Sequence, residues 1–269
     1  MARPPKRRFA LLLAYEGTRF AGWQMQPGAR TVQETVGDAL VAVGITPRVE
    51  GASRTDRGVH ARAMVVSITA RIPHGPEWLR DELRKHLPDD VRLRAVAGAR
   101  DDFHAQFSSV GKRYRYRLWL AREPGGSRFA WRLPDAEHPQ ATVEGFSLRA
   151  LQSALAAMVG KRSFAGAMHG TAREGLSDLV EARLVRQVDS PRGRELTLAF
   201  TADRFGKYMV RTLVGIAARA AWGELDPASL GRQLDSEVRL NQLVAPPQGL
   251  LLSKVFYRDG EDPFPWLQR

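Results

Sequence analysis

The sequence contains no cysteine, which excludes disulfides, thiolate nucleophiles and cysteine-bound zinc. Two base-modifying chemistries fall with it: zinc-dependent deamination, which needs cysteine ligands, and attack on a pyrimidine through a thiolate. Histidine is scarce too, at 6 residues. None of them forms a His-Glu-x-x-His pair or another ligand spacing, so metal catalysis has no support in the sequence. Long apolar runs are also missing. Arg3 to Arg8 followed by Phe9-Ala10-Leu11-Leu12-Leu13-Ala14 has the outline of an export signal. The run is too short, however, and leads into Tyr15-Glu16-Gly17 rather than a small-residue cleavage site. No later stretch approaches the roughly 20 apolar residues that span a bilayer. The expectation is a basic arm, then a buried strand, with no membrane partner and a cytoplasmic location.

Acidic residues are few relative to basic ones. Lys plus Arg number 41 against 29 Asp plus Glu, a net charge of +12. A polyanionic partner explains that balance, and so does arginine drift in a high-GC genome; composition does not choose between them. What is present in quantity is apolar: 43% of 269 residues, enough for one large core or two modest ones in a folded protein.

The order of elements is informative. A strand near Phe9–Tyr15 is followed by Thr31-Val32-Gln33-Glu34, a capping box opening a helix with Val32, Val36, Leu40 and Val43 on one stripe. An extended piece at Arg48–Glu50 comes next, and then Met64, Val66 and Ile68 alternate with Val65 and Ser67 as in a strand. Pro76 suits a first helical turn, with Leu79, Leu83 and Leu87 spaced by four, and Val91–Ala95 supplies another strand. This βαββαβ order is the ferredoxin-like arrangement, an antiparallel sheet with helices on one face. The second half repeats it less clearly. A strand at Lys112–Leu120 precedes a helix capped by Ser147 that carries Leu148, Leu151, Leu155 and Met158 and ends at Gly160. Strands at Leu179–Val188 and Glu195–Thr201 flank the turn-rich Asp189–Gly193. A helix from about Lys207 to Trp222, a shorter one begun by Asp226-Pro227 and a strand at Leu250–Tyr257 complete the half. Glu123–Ser127 and Leu133–Gln140 read as surface loops. The fold class expected is α+β in two similar halves, residues 1–107 and 108–269.

Two segments carry candidate chemistry. In Lys112-Arg113-Tyr114-Arg115-Tyr116-Arg117, period two puts Tyr114, Tyr116 and Leu118 on one face and Arg113, Arg115, Arg117 and Trp119 on the other, so that neither reads as a simple core face. A ring there stacks on an unpaired base while guanidiniums hold phosphates, or the tyrosines pack inward and the arginines are solvated. In Arg54-Thr55-Asp56-Arg57-Gly58, two cations bracket a carboxylate and a glycine follows where a tight turn presents it to solvent. An arginine at about 4 Å favours the charged carboxylate by roughly 4 kcal/mol at an effective dielectric near 20, before desolvation. Such an aspartate serves as nucleophile or base; the plainer reading is an Asx-turn with basic neighbours.

Several blocks occur together and in order. They are Tyr15-Glu16-Gly17, Phe20-Ala21-Gly22-Trp23-Gln24, Thr31-Val32-Gln33-Glu34, Arg54-Thr55-Asp56, Gly58-Val59-His60-Ala61, and Asp102-Phe103-His104-Ala105-Gln106-Phe107-Ser108. Lys112-Arg113-Tyr114-Arg115-Tyr116 follows, then Phe205 with Met209-Val210-Arg211, Val214-Gly215, and Gly249-Leu250 with Leu252. Over nearly its whole length the sequence resembles the tRNA pseudouridine synthase A family. The resemblance implies a catalytic role for Asp56, base flipping assisted by Arg54, packing of Tyr114 against the target base, and Arg211 as ion-pair partner of the aspartate, in an active-site cleft between the halves. Arg211 falls off the stripe of Met209, Val210, Leu213, Val214 and Ala217, which leaves it room to approach another segment. The implied reaction cuts the uracil N1 to ribose C1′ bond, turns the base and rejoins it through C5, without cofactor or metal. The implied substrate is uridine 38–40 of the tRNA anticodon stem-loop, taken by a homodimer. A non-catalytic RNA-binding protein, or a related synthase with other RNA targets, is the alternative. Glu16, Ser53, His86 and Gly206 depart from the family's usual residues, and His60 and His104 read as structural.

Overall fold

The computed structural model describes residues 4–46, 48–72, 74–169, 176–235 and 243–267. The apolar run behind the basic arm forms β1 (Arg7–Tyr15). Phe9 to Leu13 are all buried, so both faces of this strand are covered, which is why its sequence is continuous rather than alternating. Helix α1 (Val32–Ala42) starts where Thr31 Oγ1 accepts the Glu34 N–H at 3.4 Å, and it buries Val32, Val36, Ala39 and Leu40. The short β2 (Glu50–Gly51) and the long β3 (His60–Ala70) follow. Helix α2 (Pro76–Arg84) has proline in its first turn and buries Leu79 and Leu83; each such leucine contributes about 1.5–3 kcal/mol. β4 is Val91–Gly98.

The second stretch runs β5 (Ser109–Ala121), β6 (Trp131–Leu133), α3 (Leu148–Met158), β7 (Gly160–Arg162), β8 (Ser177–Ser190), β9 (Gly193–Ala202), α4 (Met209–Ala221) and α5 (Leu230–Asp235). β10 (Leu250–Tyr257) ends the series. Internal contacts group the chain into two compact units, Met1–Lys112 with Leu252–Arg269, and Arg113–Leu251.

In the first unit the strand order is β4-β1-β3-β10, with β2 on β3. β1 is antiparallel to both neighbours: Leu11 lies opposite Val66 of β3 and Val96 of β4. Met64 to Ile68 are all buried, so the alternation expected for β3 does not divide core from solvent. Ser67 earns its place there by polar contact: Arg8 and the Ala105 N–H both donate to its Oγ at 3.0 Å. In the second unit the order is β5-β9-β8-β7, with β6 parallel to β5. β8 and β9 form a hairpin longer than the sequence pattern indicates. The class is α+β with mostly antiparallel strands.

Three local expectations are corrected. Leu133, expected in a loop, closes β6, because Trp131 and Leu133 are both buried. Gly160 does not end α3, which stops at Met158; Gly160 opens β7 with φ 129°. Helix α4 begins at Met209, not Lys207, because Tyr208 before it is left-handed. Ser147 caps α3 as expected, accepting from the Ala150 N–H at 3.2 Å. No helix among the described residues is long and apolar enough to cross a membrane.

Candidate active site

Asp56 lies on the loop between β2 and β3, half-buried, with Arg54 and Arg57 exposed on either side and Thr55 buried. The loop is braced by the segment after β1. The Trp23 N–H donates to Thr55 O at 2.9 Å, the Gly58 N–H to Phe20 O at 3.3 Å, and the Val59 N–H closes a turn on Asp56 O at 3.1 Å. Gly22 has φ 114°, and a Cβ there would stand 2.8 Å from Thr55 O and 3.3 Å from the Asp56 carbonyl carbon. Only a residue without a side chain permits that approach.

Under this backbone contact lies an aromatic floor. Tyr15, Phe20 and Trp23 are buried, with the Tyr15 ring centroid 6.4 Å from each of the other two. Tyr15 Oη and Thr55 Oγ1 share a buried hydrogen bond of 2.7 Å. The Gly17 N–H donates to His60 Nδ1 at 3.0 Å, so the histidine just after the loop tethers the same segment. The brace is itself anchored: the Gln33 N–H donates to Trp23 O at 3.0 Å and the Val32 N–H to Gly22 O at 3.2 Å, tying it to α1. Arg30 covers the Phe20 ring at 4.1 Å and forks onto Asp90 at 2.8 and 2.9 Å. The Arg30 hydrogen bond outweighs burial and holds the Asp90 carboxyl below its ordinary range. Blocks separated by some thirty residues in the sequence are thus direct physical partners. Glu16, one of the departures, accepts from Thr18 Oγ1 at 3.1 Å on the rim of this brace.

A polar cluster supports β2 beneath the loop. Arg8 donates to Glu50, Ser67 and Thr69. Burial opposes ionisation of Glu50, but the Arg8 hydrogen bond and charge, with His104 and Ser67, hold its carboxyl below the usual range. The Gln106 and Phe107 N–H groups both point at His104 Nδ1, at 3.1 and 3.3 Å. Its Nε2 therefore carries the proton, facing Glu50 at 3.5 Å.

The second unit holds the other two candidates. Tyr114, Tyr116, Leu118 and Leu120 are all buried along one face of β5. That face is a core face after all, a correction to the reading of the strand, because β5 is flanked within its unit and its tyrosines face inward. The Tyr114 ring meets Phe205 edge-on at 5.2 Å and 90°. Tyr116 donates to Pro246 O at 2.8 Å, and burial raises its phenol well above the ordinary value against the opposing charge of Arg211.

In α4 every residue is buried except Arg211 and Arg219, so Arg211 does stand off the apolar stripe. Its Nε donates to Ala245 O at 2.6 Å, and its guanidinium carbon lies 4.9 Å from the Tyr208 ring centroid. Arg54 and Asp56 therefore share one loop. Tyr114 and Arg211 are linked by the short run in which Phe205 meets the first and Tyr208 the second. Neither the bracing role of Gly22 and Trp23 nor the placement of Tyr208 was read from the sequence. The available signal for Tyr208 was an aromatic residue three positions before an arginine at a helix start.

Comparison with known proteins identifies the family. The family model described as tRNA pseudouridine synthase matches residues 12–108 and 154–258. The tRNA pseudouridine synthase A of Geobacillus kaustophilus is 34% identical, over 94% of this chain and 95% of that protein. The proteins of that name from Oleidesulfovibrio alaskensis and Thermus thermophilus are 35% and 34% identical, over 94% and 93% of this chain and 97% of each relative. Both the segment that braces the aspartate and the α4 arginine lie inside the matched ranges, and the chain belongs to the tRNA pseudouridine synthase family.

Proposed function

We propose that this protein isomerises uridine to pseudouridine at positions 38–40 of the tRNA anticodon stem-loop, with Asp56 as the catalytic carboxylate. The observation that carries the reading is the bracing of the Asp56 loop. Gly22, Trp23, Tyr15 and His60 hold a half-buried carboxylate on a backbone with little freedom, which is what positioning of a reacting group demands. In this reading Arg54, exposed two residues away, assists extrusion of the base. That extrusion costs a few kcal/mol of unstacking. Tyr114 packs against the extruded ring, and Arg211 is the cation that answers the charge of Asp56. In this reading residues 1–107 and 108–269 form two ferredoxin-like halves; the β4-β1-β3 order of the first supports this, although Leu252–Arg269 group with the first compact unit. The protein acts on tRNA as a homodimer in the cytoplasm, and its net charge of +12 suits a partner whose phosphates dominate affinity.

The chemistry needs no redox step. The glycosidic bond to N1 breaks, the base turns, a bond from C1′ to C5 forms, the C5 proton leaves for solvent, and N1 takes up a proton in its place. Release of tritium from tRNA labelled at uracil C5 therefore reads the reaction directly. Wild-type protein is expected to release it and Asp56→Asn to abolish release while binding tRNA with unchanged affinity. Binding without release by the wild type would reduce the protein to an RNA-binding module. Mapping the modified positions in the same tRNA tests the anticodon assignment.

A further inference from the structure

Tyr208 and Arg211 stand three residues apart at the start of α4, and local forces oppose both placements. Tyr208 has φ 60° and ψ 0°, the left-handed region in which an L side chain crowds its own carbonyl. Phe164 is the other non-glycine residue with positive φ among those described. Arg211 lies in the first turn of α4, which contains no acidic residue, and the positive end of a helix repels a cation. Helix formation explains neither position.

Their contact does. The Arg211 guanidinium carbon is 4.9 Å from the Tyr208 ring centroid. Its Nε donates to Ala245 O, and the Ala245 N–H donates back to Arg211 O at 3.1 Å. A planar guanidinium with one edge bonded and a ring at its side is restricted to a narrow set of orientations. The ring is fixed in turn. His169 meets it edge-on at 5.1 Å and 82°, the His169 N–H donates to Lys207 O at 3.1 Å, and Lys207 Nζ sits 5.3 Å from the same centroid. Gly206 admits Met168 against this turn, since a Cβ there would overlap the Met168 sulfur at 2.0 Å. Strained backbone held by its surroundings is a recurrent mark of sites that orient a reacting group.

We propose that Tyr208 is a positioning residue, whose ring holds the Arg211 guanidinium in the orientation in which it serves the reacting carboxylate; this rests on the role assigned to Arg211 above. The ring face is the working feature, not the hydroxyl. Tyr208→Phe keeps the face. Tyr208→Asn removes it with a residue that tolerates the left-handed conformation. Tyr208→Gly, unstrained there, carries the same expectation and secures the test against misfolding of the asparagine variant.

The experiment is a double-mutant cycle with Arg211→Gln, read as the single-turnover rate of C5 tritium release and the Kd for unmodified tRNA. Tyr208→Phe should keep the rate within about twofold, and Tyr208→Asn and Tyr208→Gly should lose about tenfold in rate with Kd unchanged. The double variants should be no slower than Arg211→Gln alone, because a residue acting through another has nothing left to position. Losses that multiply in the double variants overturn the proposal while leaving the Arg211 role intact. A Tyr208→Phe variant as slow as Tyr208→Asn also overturns it. Wild-type turnover by Arg211→Gln would overturn the role of Arg211 itself, and this inference with it.

Discussion

Gly22→Ala tests the claim that the backbone, not the Asp56 side chain alone, builds the site. Two costs follow from the geometry. The first is conformational: φ 114° is a region that side-chain-bearing residues rarely occupy, at about 1–3 kcal/mol. The second is steric, because the new methyl would stand 2.8 Å from Thr55 O and 3.3 Å from both Arg57 N and the Asp56 carbonyl carbon. Each of these neighbours is main chain, so relief requires the loop to retreat by about half an ångström. A misplacement of 1 Å costs roughly a hundredfold in rate, and half of that shift about tenfold.

Gly28→Ala is the matched control. It has φ 70° and nothing within 4 Å of the new carbon, so it carries backbone strain without touching the loop. Single-turnover tritium release and thermal unfolding should be measured for both variants. Both should lower the melting midpoint by roughly 2–4 °C per kcal/mol of strain. Only Gly22→Ala should slow turnover about tenfold. Wild-type turnover in a folded Gly22→Ala protein would refute the reasoning, since the loop would then tolerate displacement.

Tyr15→Phe removes the 2.7 Å bond to Thr55 and should cost about 1 kcal/mol in the urea midpoint, with turnover falling if that bond aligns the loop. Glu50 has its folded-state pKa lowered from 4.5, so the unfolded chain binds the proton first. The stability it contributes is present above pH 4.5 and drains as pH falls through the lower folded value. Urea titrations from pH 6 downward should therefore show a shallower acid loss for Glu50→Gln than for wild type, and equal slopes would refute the pairing with Arg8. Arg54→Ala, at an exposed position, should slow single-turnover release. If Arg54 also touches a phosphate, the slope of log Kd for tRNA against log salt should fall by about one unit; a slope unchanged together with a rate unchanged would remove Arg54 from the site.

Much of the first unit is legible in the sequence because its signals are local. Thr31 and Pro76 mark helix starts by chemistry that acts within one turn. The run Phe9–Leu13 declares a strand buried on both faces. β6 and β7 escaped because three residues make no period; their existence depends on Trp131 and Leu133 finding the core and on the turn at Gly160. The tyrosine strand misled in a different way. Period two divides its faces correctly, but which face meets the core is a property of the neighbouring strands, and Tyr114 and Tyr116 turned out to be buried.

The candidate site divides along the same line. Spaced motifs in the sequence alone determined the family, singled out an aspartate between arginines as the group to test, and excluded thiol chemistry, since these are properties of residue identity and order. Tertiary structure decided that Gly22 and Trp23 hold the Thr55–Asp56 backbone, and that Tyr208 turns left-handed against Arg211. Those contacts join residues some thirty positions apart or depend on a single backbone torsion, and neither chain separation nor the sign of φ leaves a pattern in a string of residue types.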